Sequence, residues 1–422
     1  MADARAITVI NINPEPREAG SLREGRGRLV YICDWLPPDY GAVGQYSMLF
    51  AREMAKDGRD VVLGGLTSTA SEATEETIGK GRIRVIKLHA ERYEKANVSE
   101  RVWWTVKANT RLILTLWPHL RWADEVLFTG SPPLFLHWIA PLNLFLRKKL
   151  VYRITDFHPE CSMAGHKAVP VWLAILYRLT LFWRRRVSAF EVLGLDQLER
   201  LKEVGIPPER IRLKRDPVPV EITSTTLPLA RPVGDPETLL LLYSGNWGAA
   251  HDHETFVEGY RRHHVRGKAR FVLWLNAVGR AVDDVEAALT KRGLPFVRGT
   301  PLPLDELACL LVTPEAHLIT LSDEFVGFVL PSKVHGCIAS GKPVLYIGST
   351  RSDVHKLCAE KMTAAYERVD VGDAVGCAAA LNRLADLAIA SRANSLATRT
   401  ELVGKQIGLG LYAKRTGPAG RY

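Results

Sequence analysis

Residues 29–64, LVYICDWLPPDYGAVGQYSMLFAREMAKDGRDVVLG, decide the fold. Residues 29–34 are an apolar run of strand length, and 35–44 form a loop that holds two prolines and the glycines Gly41 and Gly44. Residues 45–55 repeat apolar side chains at helical spacing, and 60–64 are a second short apolar run. Strand, glycine loop, helix and strand in that order make one βαβ unit. Outward from it, strands are predicted at 83–87, 125–129, 150–154 and 189–193 with helical stretches between them. Such alternation implies a doubly wound parallel sheet.

Between Asp216 and Glu237 the composition changes to DPVPVEITSTTLPLARPVGDPE, rich in Pro and Thr, which reads as an inter-domain linker. A second βα series follows: the run LLLLYSG, a helix from about His253, FVLWLN, a helix from about Val282, PFVR, a helix over 304–312, HLITL, and VLPSKVHGCIASGKPVLYIG at 329–348. In that last stretch Pro331 suits the start of a helix, Gly341 its stop, and Pro343 the turn into an apolar strand. The expected organisation is α/β, with two Rossmann-like doubly wound parallel-sheet domains facing a central cleft. The bounds are a poorly ordered tail at 1–27, an amino-terminal domain at 28–215, the linker at 216–237, a carboxyl-terminal domain at 238–390, and a terminal helix and tail at 391–422.

The chain of 422 residues is long enough for two ordinary domains, and its composition, 47% apolar and 24% charged, is globular. Its six cysteines are scattered without a C-x-x-C pair, which fits reduced thiols in the cytoplasm. The first residues lack the basic and apolar regions of a signal peptide, and Arg178 interrupts the best apolar run, so no bilayer span is expected. Charge is unevenly placed. Between Arg101 and Arg215 there are 19 Lys/Arg against 9 Asp/Glu, equal to the whole net excess of +10, and the same segment carries seven of the ten tryptophans. Basic residues interleaved with indoles suit the anionic headgroup layer of a membrane. The other reading is a Trp-rich core under an ordinary basic surface. Nucleic acid is not expected, since zinc-finger spacing, an RNP-like strand and a KH-type loop are missing from this segment. Oligomeric state has no signature in the sequence.

In an open α/β sheet, ligands lie beyond the carboxyl ends of the strands, and three segments point there. In DYGAVG, Gly41 and Gly44 permit close backbone approach to a ligand, and glycines also make any tight turn. In LYSGNWGAAHDHETF, Ser244, Gly245, Asn246 and Gly248 lie between a strand and a helix, where backbone amides would meet a ligand. His251 and His253 have no third ligand at a metal-binding offset, so no metal is expected, and Asp252 reads as a helix cap. In SDEFVGFVLPSK, the carboxylates of Asp323 and Glu324 suit sugar hydroxyls, and Ser332 with Lys333 suits a diphosphate. Lys333 stands in the first turn of its helix, the unfavourable end of the dipole unless an anion lies between; a solvated stem on an exposed face fits the same position.

These motifs, in this order, resemble those of GT-B glycosyltransferases, nearest to the retaining family 4 enzymes that build surface polysaccharides, over most of 28–390. DWLPPDYGAVGQYS is similar to the family's P-P-x-x-G-G-x-G loop, and TGSPPLFL followed by LVYRITDFHPE resembles S-P-P-L … V-Y-x-x-x-D-L-W-P-E. YSGNWGAAHDHETF resembles S-G-N-x-G-x-x-x-D-x-x-T, and PSKVHGCIASGKPV resembles P-S-K-L-Y-E-x-x-A-x-G-x-P-V. The resemblance implies a nucleotide-diphosphate-sugar donor in the carboxyl half and a polyprenyl-linked or glycan acceptor against the amino half. It also implies retention at the anomeric carbon, without a cofactor or an obligatory metal. Carried over residue by residue, Gly245 and Asn246 line the donor phosphates; Gly248, Ser332, Asp323 and Glu324 join the expected donor site on the reading of their own segments. Gly41 and Gly44 approach the donor phosphate or the acceptor, and Lys333 neutralises the diphosphate leaving group.

The chain also departs from the pattern. Gly336 stands where the family has a glutamate that holds the donor ribose, and the basic residue usual after the S-G strand is missing. His158 replaces a tryptophan; it is either an acceptor-side acid/base or a ring bonded to the backbone, and Asp156 either orients the acceptor or forms the turn before Pro159. The candidate catalytic residues are therefore Lys333, His158 and Asp156. The expected protein is a cytoplasmic glycosyltransferase, peripheral at the inner face of the membrane. A nucleotide-sugar epimerase or hydrolase on the same scaffold, or a non-catalytic homologue recruited to the membrane, are the alternatives.

Overall fold

A computed structural model describes residues 8–10, 27–39, 41–91, 98–166, 168–267, 269–279, 281–300 and 302–393. Contacts divide the chain into two units, Met1–Pro219 with Asp323–His335 and Thr350–Lys356, and Val220–Ser322 with Gly336–Ser349 and Leu357–Tyr422. The break after Pro219 falls inside the stretch read as linker. Two segments expected in the carboxyl-terminal half, 323–335 and 350–356, pack instead with the first unit.

The first unit is built on β1 (Thr8–Ile10), β2 (Arg28–Trp35), β3 (Asp60–Thr67), β4 (Glu72–Ile78), β5 (Gly81–His89), β6 (Glu125–Thr129), β7 (Lys149–Ile154), β8 (Ala189–Val192) and β9 (Ile211–Leu213). Their order across the sheet is β1-β4-β5-β3-β2-β6-β7-β8-β9. From β5 to β9 every neighbouring pair is parallel, as a doubly wound sheet requires. The sheet is not parallel throughout, because β4 returns antiparallel on β5 and β1 antiparallel on β4. Strand β4, EATEETI, has no apolar run, so its pairing with β5 rather than its composition makes it a strand.

Both faces of this sheet are covered, which explains the continuous apolar run of β2. Val30 and Ile32 face a core shared with Leu112, Leu116 and Leu120 of the helix Val98–Trp122. Leu29, Tyr31 and Cys33 point the other way, onto Tyr46, Phe50 and Ala55 of the helix Ala42–Lys56. Each large side chain so buried contributes roughly 1.5–3 kcal/mol relative to exposure.

The second unit carries β10 (Leu239–Asn246), β11 (Phe271–Val278), β12 (Phe296–Arg298), β13 (Ala316–Thr320), β14 (Val344–Ile347) and β15 (Tyr366–Val369). They are ordered β12-β11-β10-β13-β14-β15 and are parallel throughout. Leu239, Leu241 and Tyr243 face Phe256 and Tyr260 of the helix Glu254–Arg266, while Leu240 and Leu242 face Leu310 on the opposite side. The helix Ala374–Ala393 is long and apolar enough to cross a membrane by length and composition. It packs Cys377, Ala380, Leu381 and Leu384 into this core. Of the stretch expected to be an amino-terminal tail, Thr8–Ile10 is strand β1. Residues 1–7 and 11–26, and the expected terminal tail from 394 onward, lie outside the described residues.

Candidate functional site

In each sheet one strand stands where the winding reverses, and a doubly wound fold binds ligands beyond the carboxyl end of that point. In the second unit it is β10, from which the chain proceeds to β11 on one side while β13 flanks the other. The loop leaving β10 is the one read as donor-binding. Gly245 has φ 111°, in the left-handed region that favours glycine. Asn246 is exposed, and the next residue anchors the loop from below. Trp247 is wholly buried, with its ring stacked on Tyr243 at a centroid distance of 3.8 Å. The Trp247 amide donates to the Val278 carbonyl at 2.7 Å, and Tyr243 Oη donates to the Asn246 carbonyl at 3.1 Å. Gly279 leaves room for the Asn246 side chain, since a Cβ there would lie 2.2 Å from Asn246 Oδ1.

The same loop is tied across the reversal to β13. His251 Nδ1 lies 2.6 Å from the Thr320 carbonyl oxygen, and the Ser322 amide donates to the Ala250 carbonyl at 2.9 Å. His251 thus braces the loop. Asp252 caps the following helix by accepting from the Thr255 amide at 3.2 Å, and burial raises its carboxyl above the ordinary range. Gly248 packs on the Asn246 side chain. Among the described residues no group of three or more His, Cys, Asp or Glu is arranged to hold a metal ion.

Gly41, Gly44, Asp156, His158, Asp323, Glu324, Ser332 and Lys333 belong to the first unit, and Gly245, Asn246 and Gly248 to the second. Gly41 precedes the helix Ala42–Lys56, in extended backbone, and a Cβ there would meet nothing within 4 Å. Gly44 is different, because a Cβ would fall 1.8 Å from the Trp35 carbonyl oxygen. Its close approach is to its own chain, and it seats the first helical turn on the end of β2. The loop before the helix is held by buried Asp39, which accepts from Thr67 Oγ1 at 3.0 Å and from the Ser68 amide at 2.8 Å.

Two stretches singled out in the sequence meet. Asp156 bridges Val329 in antiparallel fashion, and the Phe157 amide donates to the Phe328 carbonyl at 3.0 Å. The segment that begins at Asp323 and carries Ser332 and Lys333 is thereby fixed beside the end of β7. Asp323 and Glu324 are exposed in a 3₁₀ turn, and half-buried Lys333 opens the helix Lys333–Ala339. The loop beneath is locked by Glu160, which receives Arg184 bidentately, the pair being buried with Arg184 over the Phe157 ring at 5.0 Å. Arg184 also donates to the His158 carbonyl at 3.0 Å. Burial raises the Asp156 carboxyl, and His158 opposes the rise. Gly336 is buried against Leu311, whose Cδ1 would lie 3.0 Å from an added Cβ.

Sequence reasoning passed over Asp34 and Ser131. The first unit's reversal falls at β2, between β3 and β6; Asp34 is the penultimate residue of β2, and Ser131 follows β6 closely. Ser131 Oγ donates to Asp34 Oδ2. Burial, reinforced by Asp156, lifts the Asp34 carboxyl to about 6, against the hydrogen bond from Ser131 and backbone donors. The available signal was an acid closing the first strand of a βαβ unit.

No protein-family model matches the chain, and no curated protein matches it by sequence. HepE from Anabaena, solved in complex with UDP and glucose, is similar over 92% of this chain and 100% of that chain, at 12% identity and a TM-score of 0.57. WaaG, a glycosyltransferase involved in lipopolysaccharide biosynthesis, is similar over 85% of this chain and 90% of that chain, at 14% identity and a TM-score of 0.56. A putative UDP-N-acetylglucosamine 2-epimerase from Listeria monocytogenes is similar over 86% and 88% respectively, at 12% identity and a TM-score of 0.50. The chain has the GT-B glycosyltransferase fold. Its likeness to family 4 rests on the motifs alone.

Proposed function

We propose that this chain is a family 4-like glycosyltransferase that moves a sugar from a nucleotide-diphosphate-sugar donor to a polyprenyl-linked or glycan acceptor in surface-polysaccharide synthesis, with retention of configuration. The observation that carries the reading is the loop closing β10. A positive-φ glycine and an exposed asparagine stand at the reversal of a GT-B sheet, held in place by a buried tryptophan. Backbone amides there suit a diphosphate without a metal, and the complex of HepE with UDP and glucose supports a donor of this class. Neither a cofactor nor an obligatory metal belongs to the proposal. Gly245, Asn246 and Gly248 hold the donor phosphates with Ser332, Asp323 and Glu324 contributing, and Lys333 neutralises the departing diphosphate, where negative charge grows as the glycosidic bond breaks. The acceptor lies against the first unit, near Gly41, Asp156 and His158.

The working location is the cytoplasm, peripheral at the inner face of the membrane. Support comes from three helices of the first unit, Val98–Trp122, Leu136–Leu146 and Val171–Arg184. They are joined by Trp138 Nε1 donating to Thr110 Oγ1 and by His137 Nε2 at 3.0 Å from Thr180 Oγ1. They expose Trp103, Trp117, Phe145, Trp172 and Ile175 beside the exposed cations Lys107 and Arg178.

Thermal unfolding against a panel of nucleotides and nucleotide sugars tests the donor reading: a rise for one base, larger with its sugar attached, is expected, and no rise with any of them would overturn it. A second reading, an epimerase on this scaffold, is favoured by the likeness to the Listeria protein. Turnover of the bound nucleotide sugar without any acceptor would support it over transfer.

A further inference from the structure

The peptide unit that joins Asn246 to Trp247 is gripped at both ends. Its carbonyl accepts from Tyr243 Oη at 3.1 Å, and its N–H donates to the Val278 carbonyl at 2.7 Å. The second bond is backbone to backbone, and any residue but proline could make it. The first requires a tyrosine at 243. In an uninterrupted strand, side chains stand perpendicular to the sheet while the carbonyls point along it toward the neighbouring strands, so a phenol and the carbonyl three residues on diverge. Here they meet because Gly245, with φ 111°, turns the chain back toward the ring. Tyr243 is wholly buried, its ring stacks on Trp247, and the Thr320 side chain of β13 lies beside the same hydroxyl. Packing alone does not call for that hydroxyl, since Phe256 packs against the same indole without one.

What the hydroxyl adds is the orientation of one peptide plane, and that plane carries Asn246. The Asn246 side chain lies beside two glycines: a Cβ on Gly279 would fall 2.2 Å from its Oδ1, and a Cβ on Gly248 would fall 3.4 Å from its Nδ2. A slot this close tolerates little rotation of the Asn246 backbone. We propose that Tyr243 is the positioning residue of the donor loop: its hydroxyl fixes the Asn246 carbonyl and thereby aims the Asn246 side chain at the donor phosphates. This rests on the donor reading and deepens it. Tyr243 itself is covered by the core and acts through Asn246. The same sheet supplies a control. Tyr260 is also wholly buried, with its Oη 2.8 Å from the Phe271 carbonyl oxygen and 2.7 Å from the Pro295 carbonyl oxygen, and it accepts from the Leu273 amide at 3.0 Å. Those bonds stand at the amino ends of β11 and β12, the end of the sheet away from the loop that closes β10.

The test is calorimetric titration of the full chain with UDP, GDP and ADP, the tightest being carried to the variants, with melting temperature followed in parallel. Tyr243→Phe keeps the ring and its stack on Trp247, so it should fold. Its dissociation constant should rise roughly fivefold, the scale of one neutral hydrogen bond. Tyr260→Phe should melt at least as low and bind the nucleotide as the wild type does. Asn246→Ala should weaken binding, and adding Tyr243→Phe to it should change the constant by less than about twofold, because residues that act through one another are not additive. Unchanged binding in Tyr243→Phe would overturn the proposal, as would an equal loss in Tyr260→Phe or additive losses in the double variant. A Tyr243→Phe chain that did not fold would overturn it too, since the hydroxyl would then hold the core rather than the loop. A wild-type protein that bound none of the three nucleotides would overturn the donor reading instead, and with it the role given to Asn246.

Discussion

In the first turn of the helix Ala42–Lys56, a Cβ on Gly44 would lie 1.8 Å from the Trp35 carbonyl oxygen, with the Leu36 Cα at 3.3 Å. Backbone cannot rotate away as a side chain can. Gly44→Ala should push the helix from β2 and cost about 3 kcal/mol, the upper part of the range for overpacking, read from urea unfolding at constant m. Gly41→Ala, whose Cβ meets nothing within 4 Å, is the control and should change little. The glycines of DYGAVG look alike in the sequence, and only the neighbouring strand separates a packing glycine from one with open space. Lys333→Ala should lower transfer ~100-fold at unchanged melting temperature, as loss of a preorganised charge stabiliser does; activity within a few-fold of wild type would remove its leaving-group role. Gly336 was read as a missing ribose contact. A Cβ added there would lie 3.0 Å from Leu311 Cδ1, a contact set by a residue 25 positions upstream.

The seven tryptophans of 101–215 divide at the level of elements. Trp104, Trp122 and Trp183 pack against the core of the first sheet, while Trp103 and Trp172 are 69% and 60% exposed. Some of these indoles are core and others are surface, because a helix lying on a sheet buries one stripe and presents another. Membrane docking is tested on the exposed stripe. The protein should sediment with anionic vesicles in a salt-sensitive manner, and Arg178→Gln should weaken binding about fivefold, near 1 kcal/mol per basic residue at the surface. Trp103→Ser with Trp172→Ser should weaken it further, whereas undiminished sedimentation of that double variant would remove the docking face. Strand β4 teaches the converse lesson. Its glutamates gave no apolar period to read, and a hairpin with β5 made it part of the sheet.

Across the whole molecule each unit has its own sheet with its own point of reversal, β2 in one and β10 in the other. A ligand held only by the folded second unit adds ~2.7 kcal/mol at ~100 times its dissociation constant, a rise of a few degrees for a chain this size. Hydrogen-exchange protection by that nucleotide should centre on the loop closing β10 and on the end of β13, which the His251 and Ser322 contacts couple. Protection that appeared elsewhere and spared that loop would count against the donor site.

The amino-acid sequence by itself determined the alternation of strand and helix, the two sheets, the loop after β10 and the capping role of Asp252, because these follow from short-range periodicity and local turn chemistry. Only the tertiary structure decided which strands are neighbours. Neighbours in a wound sheet are far apart in the chain: Asp34 and Ser131 meet across β2 and β6, Phe157 meets Phe328, and Gly336 meets Leu311. Strand order sets where the winding reverses, so the pairing of Asp34 with Ser131 exists only once the sheet has formed.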